Sequence, residues 1–385
     1  MQHTTAALYL HVPFCHGKCR YCSFISTSPR DTGCMDAYLH QLRRELIKNA
    51  PAFSRYTIQS IFFGGGTPSV LPVFAVGDLL SLIRSQYRLS PDCEITCEAN
   101  PESFLPPLAD AWAEAGVNRV SFGCQAIQPS LLQLLGRKHT AKQAKQAVRT
   151  AQNAGIARIN LDMIYGLPTQ TLAQWTDSLS FAMDCGIAHL SAYALSIEPN
   201  TPLYQDVQRG YLAPPEEDFA ADCYDAIAPT LAPYGLSAYE ISNFAAPGQA
   251  CRHNLLYWQN GVYLGCGPAA HSAFPGQNGE WTRAWNQENI TNYLSSGPQR
   301  STQTIGKREE MFETLMLATR TRLGLSLSAF EQRFGLPLEK VYPKSVQRCL
   351  SLGWAEIKNG FFSLTPKVWF LQNSVLQLFL EESPY

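Results

Sequence analysis

The sequence has little charge of either sign. Asp, Glu, Lys and Arg make up 16% of it, and 30 basic residues against 31 acidic ones leave a net charge of -1. Non-specific nucleic-acid binding runs on many Lys and Arg contacts to phosphate, so this balance argues against nucleic acid as a partner. No apolar run approaches the roughly 18 residues that a membrane-spanning helix needs. The opening segment from Met1 to Leu8 has no basic stretch and passes directly into a strand-like pattern, so it does not read as a signal peptide. Twelve cysteines without a secretory leader point to reduced thiols in the cytoplasm rather than to a disulfide framework. Also missing is any second Cys-x2-Cys or His-x3-His pair that could complete a structural zinc site.

The chain does have apolar mass: 45% of its 385 residues are hydrophobic, enough for one large core and a satellite domain. Short β-branched or aromatic runs alternate with longer helical patterns. The expected strands cover residues 8–11, 58–63, 94–98, 119–122, 158–164 and 189–195, with helices at 35–49, 77–87, 109–115, 142–154 and 172–185 between them. Six βα units imply a parallel α/β architecture, an open, partial (β/α)6 TIM-like barrel with its chemistry at the C-terminal strand ends. Tyr239–Asn243 reads as one further strand, and the barrel domain is expected over residues 1–300. Residues 301–385 read as a helical, winged-helix-like domain with a small hairpin at 354–358 and 361–364. The tail carries no strongly basic face, so packing is a better role for it than DNA recognition.

Cys15, Cys19 and Cys22 follow the first strand as Cys-x3-Cys-x2-Cys. Three thiolates within eight residues suit an iron-sulfur cubane, whose fourth iron is then left open for a substrate or cofactor. The competing possibility is zinc closed by His11 or His16, but His16 adjoins Cys15 and is poorly placed to complete the same small tetrahedron. The other nine cysteines have no ligand spacing and suit small buried apolar positions.

Polar or glycine-rich motifs recur at the other strand ends. Gly64-Gly-Gly-Thr67 follows the second strand, where glycines let backbone approach a ligand; Thr67-Pro68 in place of Lys disfavours a phosphate loop. Glu98 ends the third strand, Gln125 the fourth, Arg137 lies in the helical region beyond, and Asp162 sits in the fifth. Singly, each carboxylate is as well explained by an internal ion pair or cap as by a ligand contact. Together they form a ring.

The cysteine loop resembles the signature of radical S-adenosylmethionine (SAM) proteins. The resemblance implies a 4Fe-4S cluster held by Cys15, Cys19 and Cys22, with SAM chelated through its amino and carboxylate groups at the open iron. It also implies that an electron from the cluster can cleave the sulfonium to a deoxyadenosyl radical. The strand-end set is similar to the branch containing the oxygen-independent coproporphyrinogen dehydrogenases and the HemW heme chaperones. By that similarity Tyr9, Gly65, Gly66, Thr67, Glu98, Gln125, Arg137 and Asp162 line the SAM pocket.

Two features separate the members of that branch. The dehydrogenases carry a fourth cysteine two positions after the third and a long N-terminal extension; this chain has Phe24 there and seven residues before the expected first strand. Cys251-Arg-His-Asn-Leu-Leu-Tyr-Trp258 also resembles the His-Asn-x-x-Tyr-Trp signature of the HemW chaperones. On residue chemistry alone, His253 is equally an axial heme ligand bordered by Tyr257 and Trp258 or a core histidine satisfied by the backbone. The resemblance, extended by Tyr239–Phe244 and Gly265–His271, favours the ligand, with His271 a second and weaker candidate. Ser23 departs from the pattern, since the chaperones commonly carry an acidic residue there.

The expected function is therefore a heme chaperone that passes heme to acceptor hemoproteins, membrane respiratory enzymes among the options. The family resemblance also allows a homodimer. Coproporphyrinogen III dehydrogenation is the alternative, and an unrelated radical enzyme a third.

Overall fold

The fold, taken from a computed structural model, is described for residues 4–29 and 32–382. The first three residues of the segment that does not read as a signal peptide lie outside that range. Six parallel strands form the barrel wall: β1 (Thr5–Val12), β2 (Thr57–Gly65), β3 (Leu89–Ala99), β4 (Arg119–Gln125), β5 (Arg158–Tyr165) and β6 (His189–Ala194). The expected α/β partial barrel is present, with each strand at its expected place.

Two regions differ from expectation. The strand expected at Tyr239–Asn243 splits into β7 (Ser237–Ala238) and β8 (Asn243–Ala245), leaving Glu240 as an isolated bridge to Thr321. The interruption follows from Glu240 itself, which turns inward, fully buried, and binds the Ser242 amide and the Asn243 side chain. The sheet also continues on its other side through β9 (Tyr263–Cys266), β10 (His271–Pro275), β11 (Trp281–Asn286) and β12 (Arg300–Ile305). Strand order is β12-β11-β10-β9-β1-β2-β3-β4-β5-β6-β8-β7. The strand β11, with Trp281 and Trp285, has antiparallel neighbours as its pairing partners rather than a further βα repeat.

Alternation along the strands sorts side chains to two sides. Leu8 and Leu10 of β1 face outward onto the helix Thr32–Phe53, joining Tyr38, Leu42 and Leu46 in one large core. The inward side is polar. Asn160 donates to Ser121 (2.7 Å), Asp162 (2.8 Å) and Ser191 (2.9 Å), and Ser191 donates to Asn243 (2.7 Å). His189 links Asn160 (2.7 Å) to the Tyr239 hydroxyl (2.9 Å). Buried polar groups are tolerated when hydrogen-bonded, and this network fills the lower barrel where a TIM barrel has apolar layers.

A second core, with Leu315, Phe330, Leu338, Cys349, Phe362 and Phe379 at its centre, belongs to the tail. There the helices Lys307–Ala318, Leu327–Phe334 and Pro343–Ser351 pack with β13 (Leu325–Ser326), β14 (Ala355–Lys358) and β15 (Phe361–Leu364). These three strands form a sheet in the order β13-β15-β14, the helix and hairpin arrangement expected of the tail.

Candidate functional site

The cysteine loop begins where β1 ends, and its geometry is set by backbone. A short bridge joins Phe14 to Thr27, with Cys15 N donating to Thr27 O (3.1 Å) and Thr27 N to Pro13 O (2.8 Å). The glycine loop carries the β1–β2 pairing past the strand ends: Gly66 N donates to Val12 O (2.7 Å) and Thr67 N to Phe14 O (2.7 Å). Gly66 has no room for a side chain, since a Cβ there would lie 2.5 Å from Phe14 O and 2.6 Å from Val12 O. These glycines serve close packing of the two loops.

Above the strand ends is a cavity of about 520 Å³. Its lining brings together Cys15, Cys19 and Cys22 with Gly65, Gly66, Thr67, Glu98, Gln125, Arg137 and Asp162. Three half-exposed thiols thus face two carboxylates and a guanidinium across one space. Arg137 lies just past Gly136, which ends the helix Pro129–Leu135 with φ 71°. Its guanidinium donates to Cys19 Sγ (3.4 Å), Asn100 Oδ1 (2.7 Å) and Gly123 O (2.5 Å), while its buried Nε has no partner among the described residues. Gly123 permits that approach, since a Cβ there would stand 3.3 Å from the guanidinium and 2.9 Å from the Gln125 amide. Gln125 ends β4 at φ 67°, a left-handed conformation uncommon outside glycine, beside an irregularity in the β4–β5 register. Such backbone strain is typical of ligand sites.

The carboxylates are electrostatically unsettled. Burial, with the charge of Asp162, pushes Glu98 up to about 8, and a hydrogen bond from Gly65 N (3.2 Å) only partly offsets this. Burial also raises Asp162, against the pull of its hydroxyl and amide donors. Two inward carboxyls, neither in an ion pair with a described residue, suit a ligand bearing an ammonium and hydroxyl groups.

A testable pH dependence follows. Unfolded, Glu98 loses its proton near the ordinary 4.5; folded, it keeps it to about 8. At this group the native state therefore holds more protons across that window, and its contribution to stability falls as pH rises through it. The Glu98 contribution to the slope is on the order of 1 kcal/mol per pH unit, against an opposite contribution from His11, His139, His189 and His253, whose pKa values burial lowers. Urea unfolding of the unsubstituted chain and of Glu98→Gln between pH 5 and 8 isolates it: stability should fall more steeply, or rise less, with pH in the unsubstituted chain by about that amount, and equal slopes would refute the assignment.

Tyr9 lies one layer below the cavity rather than on its wall. Its hydroxyl donates to His11 Nδ1 (3.1 Å), while His11 Nε2 donates to Ile25 O (3.0 Å). Both nitrogens of this buried histidine are therefore used inside the fold, which removes it as a fourth zinc ligand. The Cys251–Trp258 segment lies elsewhere. His253, in the helix Arg252–Trp258, is 1% exposed, with Nδ1 bonded to Ser60 Oγ (2.9 Å) and Nε2 to the Tyr257 hydroxyl (2.8 Å). Burial lowers it to about 3, so it is neutral. His253 therefore has no nitrogen free for iron in this conformation, and Tyr257 is committed to it. Trp258 packs under the Arg320 guanidinium at 5.7 Å. This placement has a physical cause: the helix plugs the inner face of β1 and β2, with Phe62 5.0 Å from the His253 ring.

Sequence reasoning missed Asn100, which links Arg137 to Thr67 (3.4 Å). Its signal was available in the Asn-Pro step closing β3. It also missed Tyr21 and Tyr193 on the cavity wall, for which no local pattern exists.

Comparison with known proteins agrees with this geometry. Residues 9–182 match the radical SAM superfamily and 305–371 the HemN C-terminal domain. The chain is 38% identical to the heme chaperone HemW of Mycobacterium tuberculosis over 83% of each chain. It is 32% identical to the heme chaperone HemW of Bacillus subtilis, over 97% of this chain and 99% of that one. Among solved structures, Escherichia coli coproporphyrinogen III oxidase (HemN) superposes over 98% of this chain and 90% of that one, with TM-score 0.83 and 22% identity. At that identity the match concerns the fold.

Proposed function

Because the chain belongs to the HemW family of radical SAM proteins, we propose that it is a heme carrier that receives heme and passes it to acceptor hemoproteins. The superfamily brings a 4Fe-4S cluster and SAM, which when bound supply one-electron reduction of a sulfonium. The residues fit both groups. Three accessible thiols stand over one cavity, and among the described residues the Arg137 Nε has no partner and Glu98 and Asp162 form no ion pair.

In this proposal Cys15, Cys19 and Cys22 hold the cluster, with Arg137 shielding the Cys19 sulfur. Glu98 and Asp162 receive the ammonium and hydroxyls of SAM, and the Gly65–Thr67 backbone borders it. Tyr9 supports the floor through His11. The observation that carries the chaperone over the dehydrogenase is Phe24: it lines the cavity and is 65% exposed at the position where the dehydrogenases have a fourth cysteine.

The test is anaerobic incubation of the cluster-loaded chain with SAM, a reductant and coproporphyrinogen III, and separately with heme and an apo-hemoprotein. Heme should move to the acceptor, and the porphyrinogen should be unchanged. Formation of protoporphyrinogen IX would overturn the assignment in favour of the dehydrogenase.

A further inference from the structure

Charge is spread unevenly along the chain, although its sum is only -1. No Asp or Glu occurs in residues 1–30 or in residues 115–161, and the second of these segments carries seven Lys and Arg. The first segment holds the cysteine loop; the second supplies Arg137 and the helix Ala141–Asn153. The fold sets the two side by side, since a Cβ on Gly17 would stand 3.6 Å from the Lys138 Nζ.

Most of these charges are answered within the molecule. Arg119 and Arg158 face the buried Glu94 at 3.9 and 3.4 Å. Arg137 is turned to Cys19, and Arg20 is paired with Asp206. Lys145 and Arg149 share the surroundings of Cys185 with Asp184. Lys18, Lys138 and Lys142 are left over. All three are exposed, and none forms an ion pair with a described residue.

Beside Lys138 and Lys142 opens a second groove, of about 510 Å³, whose apolar part is Ile127, Pro129 and Leu132. Arg137 lines this groove and the cysteine cavity alike. The wall between the groove and the thiols therefore includes a guanidinium 3.4 Å from Cys19 Sγ. Reduction of a sulfonium in the cavity requires an electron that reaches the cysteines from outside the chain. SAM would occupy the cavity face, whereas the lysine face adjoins the same sulfurs from the other side of Arg137. A cationic rim around an apolar patch suits an acidic protein, because opposite charges steer the encounter and fix its orientation. Three lysines are few for nucleic acid, whose binding runs on many phosphate contacts.

We propose that Lys18, Lys138 and Lys142, with the adjoining groove, form the docking face for an acidic one-electron carrier protein that reduces the cysteine-bound cluster past Arg137. One electron leaves the carrier's cofactor, which is oxidised, and enters the cluster, which is reduced by one; no covalent bond forms or breaks in that transfer. The inference rests on the cluster assignment in the proposed function and does not depend on the fate of heme.

The experiment mixes the anaerobically purified, cluster-loaded full chain with flavodoxin hydroquinone, the reduced form of a small acidic flavin protein, and follows the appearance of its semiquinone by stopped-flow absorbance. Electrostatic steering changes association rates by about 10–1,000-fold, so the double variant Lys138→Glu with Lys142→Glu should react about tenfold or more slowly at low ionic strength. The rate for the unsubstituted chain should fall steeply as salt is added. Reduced methyl viologen, a small cation, should reduce the double variant no more slowly than the unsubstituted chain, and cluster content and melting temperature should match. Lys48→Glu, near the far end of the helix Thr32–Phe53, should leave both rates unchanged. If the double variant loses its cluster, Lys138→Ala with Lys142→Ala is read in its place, with a slower flavodoxin reaction again expected. Equal flavodoxin rates with and without the substitutions would overturn this inference alone, as would RNA or DNA binding that depends on the same lysines. Failure of the unsubstituted chain to form a cluster would overturn the cluster assignment and this inference with it.

Discussion

Replacing Cys19 with Ala should strip the chain of its cluster while leaving the fold in place. Anaerobically reconstituted Cys19→Ala is expected to retain less than about a tenth of the iron and acid-labile sulfide of the unsubstituted chain. The magnitude follows because even outer-sphere changes cost metal sites 10–100-fold, and this change removes a ligand outright. Arg137 would lose its sulfur partner at 3.4 Å but keep Asn100 and the Gly123 carbonyl. The loop itself is held by backbone bonds at Cys15, Thr27 and Thr67, none of which involves a side-chain sulfur. Far-ultraviolet circular dichroism should therefore be unchanged.

Cys349→Ala provides the contrast. Cys349 is fully buried in the second core, away from the cavity, so that variant should cost about 1 kcal/mol of stability and no iron. Full cluster loading of Cys19→Ala, or zinc in place of iron and sulfide in the unsubstituted chain, would defeat the thiolate assignment.

Gly66→Ala should damage both fold and site, by about 3 kcal/mol or more in urea unfolding. Ordinary overpacking costs about 1–3 kcal/mol because neighbouring side chains can move. Here the colliding atoms are Phe14 O at 2.5 Å, Val12 O at 2.6 Å and Phe14 N at 2.9 Å, all main chain. Relief requires parting the β1 end from the glycine loop, which breaks the hydrogen bonds from Gly66 N and Thr67 N. Those bonds also seat the cysteine loop, so cluster loading should fall with stability.

Gly155→Ala separates these effects. Gly155 follows the end of a helix at φ 86°, and a Cβ there would meet nothing within 4 Å. Its cost is therefore backbone strain alone, about 1 kcal/mol, without loss of iron. Near-neutral stability of Gly66→Ala would mean that the two loops are not packed as described.

The amount legible in sequence differed by region for physical reasons. Strands β1–β6 were legible because a buried parallel strand must be a short apolar run between turns, whatever its neighbours. The added sheet β9–β12 was not, because antiparallel pairing depends on partners rather than on local composition. Cys15, Cys19 and Cys22 were legible because one short loop carries them. Glu98, Gln125 and Asp162 were legible as polar residues at or near strand ends, since parallel strands deliver such positions to one rim, whereas Arg137 lies past the helix that follows β4 and reaches the rim only through its long side chain. Tyr9 sits on the right strand but one layer lower, because its hydroxyl is taken by His11.

The sequence alone determined which chemistry could be assembled: a thiol triad in one loop and a ring of polar strand ends, both fixed by spacing along the chain. Tertiary structure decided which of those groups remain available. Ser60 and His253 are 193 residues apart, yet their hydrogen bond helps hold that imidazole inside the fold. His271, at the start of β10, stays exposed. Accessibility depends on what packs against a side chain, and that is settled by contacts between distant segments.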